Sequence, residues 1–197
     1  MSAFVKAKQL PSGHSIPAVA LGVYQSEPGT ETYDAVLAAL KLGYRHVDTA
    51  TVYRNESDVG KAIRDAGIPR QEVFVTSKVV VPHNRWSYDE VVEAVRLSNR
   101  KLGLEYIDLY LLHAPFDGAT RADAWRHAPR LRQLLQVRRA EVGHADVAHD
   151  PLRLHVLEGK ENLEAAKLEL TDEQMERLNS LDQYFVTAWD PIKQHAV

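Results

Sequence analysis

The 197-residue chain contains no cysteine. It can therefore form no disulfide and no thiolate-bound zinc site, and a reducing compartment is the default reading. It has no run of about 18 apolar residues, so no membrane-spanning helix is expected. Its first residues, MSAFVKAKQLPSG, lack the apolar stretch of a secretory signal, and a cytoplasmic protein is the expectation. Neither sign of charge dominates. A formal net charge of −3 gives no general attraction to nucleic acid or to an anionic membrane.

What is present is an ordinary globular balance, 45% apolar and 26% charged residues, enough for one domain with a real core. A regular rhythm runs through the first 113 residues. Lys8 to Ser15 holds a Pro-Ser-Gly turn and reads as a hairpin. Ala18 to Tyr24 reads as a buried strand. From Thr30 to Leu42, Val36, Ala39 and Leu42 recur at helical spacing, and Gly43 follows as a stop. Arg45 to Thr49 reads as a second strand. Asn55 is placed to cap a helix to Ala66. Val73 to Val80 is a third strand, Ser87 opens a helix ending near Gly103, and Tyr106 to Leu112 is a fourth strand. Strands alternating with helices imply parallel pairing through crossovers. The first strand–helix junction has no G-x-G-x-x-G turn, which argues for a βα barrel over a dinucleotide-binding open sheet.

The rhythm then stops. Residues 114–156 contain no Lys, Ser, Ile or Tyr, yet hold seven of the 15 arginines and four of the nine histidines. Weak signals there suggest a helix at 130–142 and a strand at 152–157. Ordinary composition returns near Lys160. Thr171 and Gln174 have capping-box spacing and open a helix with Met175, Leu178 and Leu181 as its apolar face. The tail from Tyr184 reads as loop.

Four residues carry the chemistry. Asp48, Lys78 and His113 lie at or just past three successive strand ends, and Tyr53 follows Asp48 by five residues. In a βα barrel such strand ends converge on one face, where the active site forms. Taken singly, each has an ordinary reading: a turn residue, a surface lysine, a strand-end histidine, a filler tyrosine. Their joint spacing is what points to function. A tyrosine becomes a usable acid when a nearby ammonium stabilises its phenolate, and a carboxylate keeps that ammonium charged. An imidazole facing the same space can polarise a carbonyl oxygen. The set donates a proton to a carbonyl oxygen while its carbon accepts a hydride. No side chain supplies a hydride, so a nicotinamide cofactor is implied.

The segments IPAVALGVYQS, GYRHVDTATVYRNESDVGKAI, VFVTSK and YIDLYLLHAP resemble the signature segments of the aldo-keto reductase family. The resemblance covers residues 5–116 and resumes over 161–191. It implies an α/β fold, a (β/α)8 TIM barrel, and reduction of aldehydes or ketones with NADPH. On that resemblance Tyr53 is the general acid, Lys78 tunes it, Asp48 holds Lys78, and His113 orients and polarises the carbonyl. Asp48 also approaches the nicotinamide ribose, and Asn162 is the one further cofactor contact that carries over.

Such barrels typically need about 250 residues. Only the first four βα units, a C-terminal helix and a tail fit here, so the expectation is a partial barrel. One incomplete domain spans 1–197: βα units with the tetrad at 1–116, an atypical Arg/His-rich insert at 117–157, and a family-like segment at 158–197. The family's nicotinamide-stacking segments and its lysine-serine-arginine grip on the 2′-phosphate are missing; Pro151-Leu152-Arg153 and Glu158 stand at the equivalent positions, where Arg153 could meet a phosphate. Three accounts fit: a shortened product with a substituted middle, two half barrels that pair, and a diverged, non-catalytic interaction or oligomerisation module. The expected partners are a small carbonyl substrate and a second copy of the chain through open barrel edges, with no nucleic acid and no membrane. His144, His149 and His155 match no metal-ligand spacing, so no metal site is expected. The insert's single aromatic residue, Trp125, is poorly suited to RNA stacking.

Overall fold

Short valine-rich runs form the centre of the molecule. A computed structural model of the chain describes residues 7–10, 13–80, 88–113, 156–165 and 167–180. Ala7–Gln9 (β1) and Ser15–Pro17 (β2) pair as the antiparallel hairpin that the Pro-Ser-Gly segment predicts. Leu21–Gly22 (β3), His46–Asp48 (β4), Phe74–Val79 (β5) and Leu109–Leu112 (β6) then form one parallel sheet in that order. Val47 lies opposite Leu21 and Val75, and Lys78 lies opposite Leu111. Parallel neighbours need crossovers. Thr30–Leu42 (α1), Glu56–Asp65 (α2) and Tyr88–Leu102 (α3) supply them. This is the path of a βα barrel over its first four strands. The first strand is shorter than its apolar run predicts: only Leu21 and Gly22 pair as a strand, and the chain turns away at Tyr24 and Gln25.

Successive side chains on a strand point to opposite faces, and the core divides accordingly. Val47, Val75, Val79 and Tyr110 join the helix-side cluster with Val36 and Leu40 of α1, Val59 and Ile63 of α2, and Val95 and Leu102 of α3. On the other face Phe74, Leu109 and Leu111 pack together, covered by Ile16 of the hairpin. Each fully buried Val, Leu or Ile side chain contributes about 1.5–3 kcal/mol. Most of these lie on the helix side, so a large apolar core supports the polar strand ends without occupying them.

Two glycines shape this packing. Gly43 takes a left-handed φ of 107°, which lets the chain leave α1 abruptly. Its N–H donates to the Leu40 carbonyl at 3.2 Å and that of Tyr44 to Ala39 at 3.0 Å, a Schellman ending. Gly60 allows α2 to meet α3: a Cβ there would collide with the backbone carbonyl of Leu102.

Val156–Ala165 (α4) packs on α1 and buries Leu163. This corrects the strand reading of 152–157 at its end, since Val156 already opens a helix. A buried helical contact outweighs a short alternating pattern. Asp172–Asn179 (α5) starts at the predicted capping box: the Thr171 hydroxyl accepts from the Gln174 N–H at 3.3 Å, and Gln174 Oε1 accepts from the Thr171 N–H at 2.9 Å. Met175 and Leu178, expected on its apolar face, are 44% and 52% exposed. The readings for Ser87, 130–142, Arg153, the three histidines, Leu181 and the tail lie outside the described residues. Among the described residues no helix is long and apolar enough to cross a membrane.

Candidate active site

The strand register gathers the four predicted residues at one end of the sheet. Asp48 ends β4, and Lys78 is the penultimate residue of β5. His113 follows β6, and its N–H donates to the Val79 carbonyl at 2.9 Å, which fixes it beside the end of β5. Tyr53 closes the short 3-10 turn Thr51–Tyr53 that follows β4.

Lys78 is the centre of the group. Its Nζ donates to Asp48 Oδ1 and, at 3.1 Å, to the Thr49 carbonyl. Both ions are buried: Asp48 is 8% and Lys78 4% exposed. The same ammonium lies 5.2 Å from the centre of the Tyr53 ring. The His113 ring stands edge-on to Tyr53 at 5.5 Å between centres and 83° between planes. The structure brings these four side chains together.

The electrostatics differ from the sequence expectation in one respect. Burial, then the Asp48 carboxylate, then neighbouring Tyr24 hold the Tyr53 phenol well above the ordinary tyrosine range. The expected lowering by Lys78 does not win, because that ammonium lies over the ring with its charge matched by Asp48. Tyr53 is therefore a protonated phenol at neutral pH, the form a proton donor needs. Burial likewise raises the Asp48 carboxyl, opposed by the charge and hydrogen bond of Lys78.

Asn55 is a second correction. It precedes α2, but its side chain caps nothing there. It turns inward, with no exposed surface, and meets loops that sequence proximity does not reveal. Sequence reasoning also passed over Tyr24, whose half-exposed ring lies 5.1 Å from that of Tyr53. Its position just past β3 was the available signal, since the other candidates were found by the same strand-end rule. Buried His46 was missed as well. It sits at the other end of β4, bonded through Nε2 to Thr76 Oγ1 at 2.8 Å, and burial lowers its pKa to about 4. Asn162 is not brought to the tetrad. It stands exposed on α4 and shares no hydrogen bond, ion pair or ring contact with the four.

Comparison with known proteins places this arrangement. The chain is 48% identical over 112 residues to glycerol 2-dehydrogenase (NADP(+)) of Saccharomyces cerevisiae, covering 56% of this chain and 34% of that protein. It is 38% identical over 141 residues to glyoxal reductase of Bacillus subtilis, covering 72% and 50%. Among solved structures, the Bombyx mori aldo-keto reductase in complex with NADP superposes with a TM-score of 0.63 at 37% identity, over 72% of this chain and 51% of that one. The chain thus spans about half or less of the length of each of these relatives. The aldo/keto reductase family model matches residues 19–149, and with that match the chain belongs to the aldo/keto reductase family.

Proposed function

We propose that the chain reduces aldehydes or ketones to alcohols with NADPH, acting in the cytoplasm on a small carbonyl substrate. One observation carries the reading: a buried Lys78–Asp48 pair lies against the ring of Tyr53, with His113 edge-on to the same ring. The relatives named for glyoxal reduction and for NADP(+) support the substrate class and the cofactor.

The donor set fits a nicotinamide. It offers a proton and a group that polarises a carbonyl, and it lacks only a hydride source. Asp48 and Asn162 are the residues that would hold NADPH, which when bound supplies the hydride to the carbonyl carbon. Tyr53 gives its phenolic proton to the carbonyl oxygen. His113 hydrogen-bonds that oxygen and orients it. The Lys78 ammonium, fixed by Asp48 and the Thr49 carbonyl, stabilises the phenolate left behind.

Tyr53→Phe tests the assignment. With glyoxal and NADPH, turnover falls by about 10²–10⁴-fold, the usual span for removing a general acid, while the thermal transition stays cooperative. Parent-like turnover in the folded variant would refute it. A second reading, a non-catalytic interaction or oligomerisation module, is favoured by the length of the chain, which spans about half of its relatives and lacks the family's other cofactor-holding segments. It predicts no NADPH binding by a folded sample.

A further inference from the structure

We propose that Asn55 is a positioning residue whose buried carboxamide locks together the loops carrying Tyr24 and Tyr53, so that Tyr53 faces Lys78 and His113. The inference rests on the role proposed for Tyr53 and adds a residue that touches none of the reacting groups.

The carboxamide spends its bonds on tertiary partners. Oδ1 accepts from the Thr49 hydroxyl at 2.9 Å. Nδ2 donates to the Val23 carbonyl at 2.9 Å and the Ser26 carbonyl at 3.2 Å, with Thr32 Oγ1 at 3.4 Å. An asparagine at a helix start ordinarily accepts from that helix's first N–H groups. Here that local bond is absent, and the side chain serves two loops instead.

Those two loops carry the backbone strain. Among the described residues, the only non-glycine positions at positive φ are Gln25 at 62° and Arg54 at 61°. Gln25 lies between Tyr24 and Ser26, inside the loop whose carbonyls Asn55 holds. Arg54 lies between Tyr53 and Asn55. A side chain in this conformation crowds the following carbonyl, and such residues persist where their surroundings over-determine them. The bonds of Asn55 supply that constraint on both sides of the Tyr24–Tyr53 ring contact.

The anchor is itself fixed. The Thr49 N–H donates to the Thr76 carbonyl at 2.9 Å, while the Thr49 carbonyl accepts from Lys78. Glu56, next to Asn55, accepts from Ser77 Oγ at 2.7 Å and so ties the start of α2 to the strand of Lys78. The Thr49–Asn55 bond closes the loop that carries Tyr53 at both ends. Releasing it frees the phenol to leave its half-buried place beside Lys78 and His113.

The test uses the full chain and two variants, Asn55→Ala and Thr49→Val; the second replaces the hydroxyl with a methyl and breaks the same bond from its other side. Thermal unfolding, turnover with NADPH and glyoxal, and the pH titration of the Tyr53 ring carbon by NMR, assigned with Tyr53→Phe, are read on each. In a cooperatively folding Asn55→Ala, the expected kcat is about 10- to 100-fold lower with KM changed by less than about threefold, the scale of misplacement near 1 Å. The Tyr53 titration moves down toward the ordinary value of about 10 as the ring gains water. Thr49→Val shifts both in the same direction by less. A folded variant with unchanged Tyr53 titration and unchanged kcat overturns the proposal. If the parent shows no turnover, the functional reading fails, and the Tyr53 titration alone decides the role of Asn55.

Discussion

Lys78 and Asp48 form an ion pair between neighbouring parallel strands, with side chains only 5% and 12% exposed. Such a pair contributes little beyond a well-packed apolar pair, because burial penalises both charges. Its consequence is geometric: the ammonium is held at a fixed distance from the Tyr53 ring. Breaking it is costly, since it leaves the buried Lys78 ammonium without a counter-charge, facing only neutral acceptors such as the Thr49 carbonyl. Asp48→Asn is expected to lower stability by about 3–5 kcal/mol, read as a shifted urea midpoint at constant slope. A loss below about 1 kcal/mol, the scale of a surface pair, contradicts the buried geometry.

Gly60→Ala sets two effects against each other. Alanine improves helix propensity by about 1 kcal/mol. The new methyl meets a backbone carbonyl at Leu102, which cannot rotate away as a side chain can. Overpacking of that kind costs about 1–3 kcal/mol or more, so the variant is expected to melt below the parent. Equal or higher melting temperature contradicts the close α2–α3 approach.

His46 predicts an acid limit to stability. Its pKa is lowered to about 4 by burial, offset in part by the Pro17 carbonyl and reinforced by the Lys78 charge. The unfolded chain therefore takes up a proton near pH 6.5 that the folded chain refuses until about pH 4. Stability is complete above pH 6.5 and falls as pH drops toward 4, by on the order of 3 kcal/mol from this residue. Urea unfolding between pH 7 and pH 4 measures it. His46→Gln flattens that slope; a slope unchanged by the substitution assigns the loss elsewhere.

The sheet's outer strands lead to a prediction of association. In the described residues β3 and β6 each pair on one side only. Unpaired strand edges invite pairing with another chain. Light scattering is expected to show a mass above that of the 22.2 kDa monomer, rising with concentration. A monomer at high concentration contradicts this.

Much of the fold and the tetrad was legible because each rests on local patterns. The Thr30–Leu42 helix follows from its apolar spacing and Gly43, and the start of α5 from Thr171 and Gln174. The tetrad was legible because strand ends in a parallel sheet share one face, so counting strands was enough to bring Asp48, Lys78 and His113 together. Asn55 was misread because its local partner, the helix start, lost to Val23 and Ser26, each about thirty residues away in sequence. No periodicity reports such a choice. The shift of Tyr53 was misread for a related reason. The neighbouring ammonium was visible in the sequence, but the burial that outweighs it belongs to the packed structure.

If these strand ends serve a nicotinamide-dependent reduction, the folded chain binds NADPH. Fluorescence titration of NADPH into purified protein with a cooperative thermal transition tests it most directly. The expected result is saturable binding in the micromolar range or tighter, about −8 kcal/mol or better. A folded sample that leaves NADPH fluorescence unchanged up to millimolar concentration contradicts it, and the tetrad is then an inherited arrangement without its hydride donor.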